Sequence, residues 1–138
     1  VNIDVHKYVL HIVNNVKSSF NPENKEINVT IEIEKILLES KQATPLGLII
    51  NELVTNAYKY AFVNQKSGEL KISIVYCDEN HYSLSVKDNG SGFPKGFSVQ
   101  NSNTLGIELV HLLSEQIGGK LELASENGAI IKIIFPRN

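Results

Sequence analysis

The sequence predicts a two-layer α/β (α+β) sandwich, a mixed and mostly antiparallel sheet of about five strands with three helices on one face. Three observations predict it. Several short segments alternate apolar and polar residues, so each has one dry face and one wet face. Three longer segments place apolar residues at helical spacing instead. The order is helix, strand, helix, two strands, helix, two strands, which suits helices gathered on one side of an antiparallel sheet.

The first helix spans Asp4 to Phe20, with Val5, Tyr8, Val9, Ile12, Val13 and Val16 on its apolar side and Asn21-Pro22 as its stop. His6 and His11 lie five apart, the wrong spacing for one helix face, and are expected as plain surface histidines. Ile27 to Glu34 is a strand, with Ile27, Val29, Ile31 and Ile33 inward. The central helix runs from Leu46 to Phe62, with Thr44 as N-cap and Pro45 at the first helical position. It is apolar most of the way round, which predicts extensive burial. Glu52, Asn56 and Lys59, spaced i, i+4, i+7, form a single polar stripe along it.

Asn64 to Gly68 is a loop, followed by strands from Leu70 to Tyr76 and from Tyr82 to Asp88, joined by the turn Asp78-Glu79-Asn80. Cys77, the only cysteine, has no partner for an internal disulfide and is expected as a small core hydrophobe. Phe93 to Asn103 is rich in Gly, Ser, Asn and Lys, and its length suits a lid or binding loop. Thr104 to Ile117 is the third helix, capped by Gly118-Gly119. Lys120–Ser125 and Ile130–Phe135 close the chain as a pair of strands around the turn Glu126-Asn127-Gly128.

With 138 residues, 42% of them apolar, one domain is expected. A net charge of −2 gives no reason to expect nucleic acid or an acidic membrane as partner. No run is apolar enough to span a bilayer and no signal-peptide pattern stands at the start. The chain lacks methionine and begins with Val1, which is expected of a piece of a longer protein. Four scattered histidines and one cysteine make no zinc site, and neither GxxxxGK[ST] nor GxGxxG nor GxSxG occurs.

Two glycine-bearing stretches could carry chemistry. Asp88-Asn89-Gly90-Ser91-Gly92 follows a strand directly and, taken alone, is a turn. An aspartate in a half-buried pocket there could accept a hydrogen bond from an exocyclic amine such as that of adenine, while glycines let backbone approach a flat ring. Thr104-Leu105-Gly106 opens a helix, where unpaired N–H groups and the dipole favour an anion.

The stretches ELVTNAYKYAF, DNGSGFP, NTLGIELVHLLSEQIGGKLEL and NGAIIKIIFP follow one another in this order. Together they resemble the ATP-binding catalytic domain of bacterial sensor histidine kinases, the Bergerat fold shared with gyrase B, the MutL proteins and the large heat-shock chaperone. The single glycine of the third stretch looks most like the subfamily with the second HisKA type of dimerisation domain.

The resemblance implies ATP and Mg²⁺ as cofactors. It casts Asn56 as the Mg²⁺ ligand, Glu52 as the residue that polarises the attacking nucleophile, and Lys59 and Tyr60 as neighbours of the phosphates. It casts Asp88 as the adenine reader beside Gly90 and Gly92, and Leu105-Gly106 as the phosphate loop. The polar stripe then becomes a cleft wall. One departure is Ala129, where the family usually has a threonine whose hydroxyl assists the aspartate through water.

The whole chain, 1–138, is thus expected to be a catalytic domain that passes the γ-phosphoryl group to a histidine on an adjoining dimeric helical domain, serving a response-regulator receiver domain. No acceptor-histidine motif is present, so the domain alone is expected to be monomeric and to phosphorylate nothing in itself. A cytoplasmic location follows from the resemblance, including the cytoplasmic end of a membrane-bound sensor. The alternatives are an anti-sigma serine kinase or ATPase of the same fold, and a degenerate nucleotide-binding interaction module.

Overall fold

The computed structural model describes residues 4–21, 23–36, 38–93 and 105–137. Their elements, in chain order, are α1 (Val5–Phe20), β1 (Glu26–Ile33), α2 (Ser40–Asn56) continued by a π-helical turn (Ala57–Ala61), β2 (Ser67–Asp78), β3 (His81–Asp88), α3 (Leu105–Gln116), β4 (Lys120–Ser125) and β5 (Ala129–Pro136). The sheet has five strands in the order β1-β2-β3-β5-β4. β1 runs parallel to β2, and the other three pairings are antiparallel. The parallel pair needs a crossover, and α2 supplies it.

The alternation seen in the sequence decides which face is dry. Ile72 and Ile74 of β2, Leu84 and Val86 of β3, and Ile131, Ile133 and Phe135 of β5 are buried. They share the core with Val9, Val13 and Val16 of α1, with Leu46, Ile49, Ile50, Leu53 and Val54 of α2, and with Ile107 and Val110 of α3. Each such side chain stabilises the fold by roughly 1.5–3 kcal/mol on burial. The outward residues of the same strands pair in rows, as Lys71 does with Glu32 across β1–β2 at 2.9 Å.

α1 begins where Asp4 accepts the Lys7 N–H at 3.1 Å, an N-cap bond. His6 and His11 are exposed. The far end of the α2 segment needs partners for its last carbonyls. Lys25 donates its ammonium to the carbonyls of Phe62 and Val63, and the Ser91 N–H reaches the Ala61 carbonyl at 3.0 Å. A cation is favourable at this end of the helix dipole.

Two expectations are corrected. α2 starts at Ser40, with Glu39 as N-cap, so Pro45 lies inside the helix and not at its first position. The carbonyl that Pro45 leaves without a donor belongs to Lys41, an exposed residue where water can take it. Burial holds the extra turn: Gln42 and Ala43 are packed inside, and Gln42 donates to the Pro136 carbonyl at 2.9 Å. Cys77, expected in the core, is exposed. Leu70, Ile72 and Ile74 set the inward parity of β2, so Cys77 falls on the outward side near the end of the strand, where the β2–β3 register also shifts between Tyr76 and Asp78. The binding loop expected over Phe93–Asn103 lies, apart from Phe93, outside the described residues, as does Thr104.

Candidate functional site

A cavity of about 340 Å³ opens between the end of α2, the end of β3 and the start of α3. That size suits a small-molecule ligand. Its floor is apolar, formed by Leu53, Val86, Ile107, Ala129 and Ile131. The π-helical turn contributes Ala57, Tyr60 and Ala61, the segment after β3 contributes Ser91, Gly92 and Phe93, and the polar lining includes Asn56 and Asp88.

Asp88 is the buried acid of this cavity, only 8% exposed. A carboxylate so placed must be hydrogen-bonded. Its Oδ1 accepts the Gly90 N–H at 2.9 Å and the Ala129 N–H at 3.1 Å. The first bond is local, an Asx turn. The second crosses from β5 and exists because the β4–β5 turn presses on β3. A Cβ at Gly128 would stand 2.0 Å from the Asp88 carbonyl oxygen, so only glycine permits that approach. With Oδ1 taken by two backbone donors, Oδ2 is the oxygen left for a ligand.

The turn after Asp88 is fixed at three further points. Asn89 exchanges backbone and side-chain hydrogen bonds with Glu69 at the start of β2. Ser91 bonds to Ala61, as above. Gly90 packs so closely on the π turn that a Cβ there would lie 2.1 Å from the Ala61 carbonyl oxygen. The turn is therefore part of the rigid frame.

At the other end of the cavity α3 meets α2. A Cβ on Gly106 would stand 2.8 Å from Glu52 Oε2 and 3.3 Å from Asn56 Nδ2. The first turn of α3 thus abuts two residues of the polar stripe. The third, Lys59, is turned elsewhere: it is exposed, and its Nζ lies 4.9 Å from the centre of the Phe20 ring on α1. The π turn explains this. Its i→i+5 bonding makes a wider turn that advances each residue through a smaller angle than an α-turn does. The position aligned below Asn56 becomes Tyr60, which lines the cavity and is 57% exposed at its rim.

The cavity therefore gathers Asn56, Tyr60, Asp88 and Gly92, with Gly90 directly behind and Glu52 and Gly106 beside Asn56. Leu105 opens α3 at the same end. Lys59 is not brought in. Phe93, read as the first residue of a lid or binding loop, stands as a wall of the cavity, whereas the sequence reading missed Asn89 and Ser125, which hold the turn and the wall from outside. The short run Asp-Asn-Gly carries the signal for Asn89. Ser125 has none, since its contact spans 32 positions along the chain.

No group of three His, Cys, Asp or Glu side chains gathers among the described residues. Nor is any helix among them long and apolar enough to cross a membrane.

Residues 41–138 match the family model for histidine kinase-, DNA gyrase B- and HSP90-like ATPases. The sensor histidine kinase PdtaS of Mycobacterium tuberculosis (strain H37Rv) is 32% identical across 99% of this chain and 27% of that protein. The blue-light-activated histidine kinase 2 of Erythrobacter litoralis is 26% identical across 80% of this chain and 32% of that protein. The chain thus spans about a third or less of these relatives. Among solved structures, the histidine kinase domain of the Erythrobacter litoralis EL346 blue-light-activated kinase superimposes with a TM-score of 0.85. It is 25% identical, and the match covers 97% of this chain and 61% of that one. The mycobacterial sensor histidine kinase MprB shares the fold, with a TM-score of 0.70 at 20% identity over 99% of this chain and 97% of that one. On the family match and the PdtaS likeness, the chain belongs to the histidine kinase-, DNA gyrase B- and HSP90-like ATPases.

Proposed function

We propose that this domain binds Mg-ATP in the cavity and, within the protein that carries it, transfers the γ-phosphoryl group to a histidine on an adjoining dimeric helical domain. A response-regulator receiver domain would then take the phosphoryl group. The observation that carries the reading is Asp88: a buried carboxylate, held through one oxygen by two backbone N–H groups, in the wall of an apolar cavity. Such an acid accepts from the 6-amine of adenine, whereas guanine offers an oxygen there and meets repulsion. Val86, Ile107 and Ile131 enclose the flat base. The sensor kinases among its relatives support the rest of the proposal.

The phosphate end is read from Asn56 outward. Its amide oxygen is a hard donor, and Mg²⁺ commonly takes only one or two protein ligands, filling its shell with water and phosphate oxygens. The residues present fit that ion: Asn56 would hold it beside Gly106, and its charge would offset that of the phosphates. The N–H groups of the first α3 turn, at Leu105 and Gly106, would face the phosphates with the positive end of the helix dipole. Glu52, one turn before Asn56, would orient the attacking nucleophile. Lys59 would join only by leaving the Phe20 ring. Most of the catalysis in this arrangement is positioning and charge neutralisation.

The test is competition and transfer. ATP should displace a fluorescent ATP analogue from the chain in the presence of magnesium, and GTP should do so at least about tenfold less well, the scale of one lost charged hydrogen bond. Radiolabel should pass from γ-labelled ATP to a separately supplied histidine-bearing helical domain. Equal displacement by GTP would remove the role of Asp88, and binding without any transfer would leave an interaction module.

A further inference from the structure

The β4–β5 turn does more than support Asp88. On its far side Ser125, the last residue of β4, accepts the Phe93 N–H on its Oγ at 2.9 Å. Phe93 is a wall of the cavity and packs in part against the core. Between Asp88 and Phe93 stands Gly92, with φ of +76°, the left-handed conformation that swings the chain from the Asp88 turn into Phe93. Gly92 rests on the same β4–β5 turn: a Cβ there would lie 3.2 Å from Ser125 Oγ and 3.4 Å from the Gly128 carbonyl oxygen. One hairpin turn therefore fastens both sides of the cavity's inner end. Its Ala129 N–H fixes the acid, and its Ser125 hydroxyl fixes the wall.

Ser125 itself is exposed and is not part of the cavity lining. Whatever it does for a ligand passes through Gly92 and Phe93. We propose that Ser125 is a positioning residue of the nucleotide site, holding the Gly92–Phe93 step on the β4–β5 turn so that Phe93 stands as the wall opposite the base. This rests on the nucleotide reading above. Losing the hydroxyl removes the acceptor that ties the Phe93 N–H to the β4–β5 turn and so loosens the backbone that carries the ring. Part of the binding free energy must then go into reordering that step each time a ligand enters.

The test compares parent, Ser125→Ala, Ser125→Thr, Phe93→Ala and the Ser125→Ala/Phe93→Ala double variant by calorimetric titration with ADP. Ser125→Ala should bind ADP about three- to tenfold more weakly, the range of one neutral hydrogen bond. Ser125→Thr should restore parent affinity, since it keeps the hydroxyl and its β-branch suits a strand. In the Phe93→Ala background Ser125→Ala should cost nothing further, because the two residues act as one unit.

A second readout needs no nucleotide. Hydrogen exchange at the Phe93 amide should speed up in Ser125→Ala and stay at the parent rate in Ser125→Thr. Parent-like ADP affinity in Ser125→Ala would overturn the proposal, as would full additivity with Phe93→Ala or an unchanged Phe93 exchange rate. A parent chain that binds no ADP would overturn the nucleotide reading and this role with it, while the exchange rates would still show whether the hydrogen bond exists.

Discussion

The two ends of β3 carry nearly the same local chemistry and have different fates. In the turn that leads into it, Asp78, the last residue of β2, accepts the Asn80 N–H on Oδ1 at 2.7 Å. At its end, Asp88 accepts the Gly90 N–H on Oδ1 at 2.9 Å. Both are aspartates that close an Asx turn on the residue two positions later. Asp78 takes its remaining support from a side chain three residues away, His81 Nδ1 at 2.9 Å, and sits in solvent. Asp88 takes its second bond from a strand 41 positions away and sits at the wall of a cavity. The difference shows that an acid becomes a candidate recognition group through the long-range frame around it. The turn that holds it locally does not decide the matter.

The comparison breaks first at the glycines. Gly90→Ala forces a methyl into the Ala61 carbonyl oxygen, a backbone atom that cannot swing aside. It should destabilise the fold by about 1–3 kcal/mol, the usual cost of overpacking, and abolish measurable ADP binding. The matching change at the other end, Asn80→Ala, leaves the backbone donor in place and should fall within about 0.5 kcal/mol of the parent. Urea denaturation and ADP titration of the two variants check both statements. Equal effects would mean that the two turns do the same job.

The smallest effect belongs to the solvent end. The Asp78 carboxyl is held below its ordinary range first by the hydrogen bond with the His81 side chain and then by the Asn80 N–H. A lowered pKa means that the folded chain releases this proton more readily than the unfolded one. The resulting stability is present above the ordinary aspartate pKa and is lost as pH falls through the lowered one. Asp78→Asn should therefore flatten that part of the acid limb of melting temperature against pH, by little, because the group is fully exposed. ADP affinity should not change. A loss of nucleotide binding in this variant would join the two ends in a way the geometry does not.

Much of this is legible in the sequence, and the exceptions have physical causes. Strand alternation located β1, β2 and β3, because a half-buried sheet imposes its period directly on the sequence, and the turn Glu126-Asn127-Gly128 marked the last pair. Asp88, Asn56 and Gly106 come together around the cavity. Lys59 does not, because the stripe was drawn with α-helical spacing and the helix widens into a π turn after Asn56. Pro45 misled the helix start, since the tertiary anchoring of Gln42 and Ala43 outweighed a local stop signal. Cys77 misled because it stands on the outward parity of β2, an odd number of residues after Ile74, near the end of the strand. Ser125 left no local trace at all, for its partner is reached only through the folded sheet.

The most direct test of the account exchanges the chemistry of one oxygen. In Asp88→Asn the amide oxygen can keep both backbone bonds on the Oδ1 side, while an N–H donor replaces the acceptor offered to the base. The measurement is the ratio of affinities for ADP and for inosine diphosphate, which carries an oxygen in place of the 6-amine. The parent should favour ADP, and Asp88→Asn should weaken ADP by about ten- to a hundredfold, with a melting temperature close to the parent's. Inosine diphosphate should be weakened far less, so that the ratio collapses toward one. A ratio unchanged by the substitution, in a variant that still folds, would contradict the assignment of Asp88 as the group that reads the base.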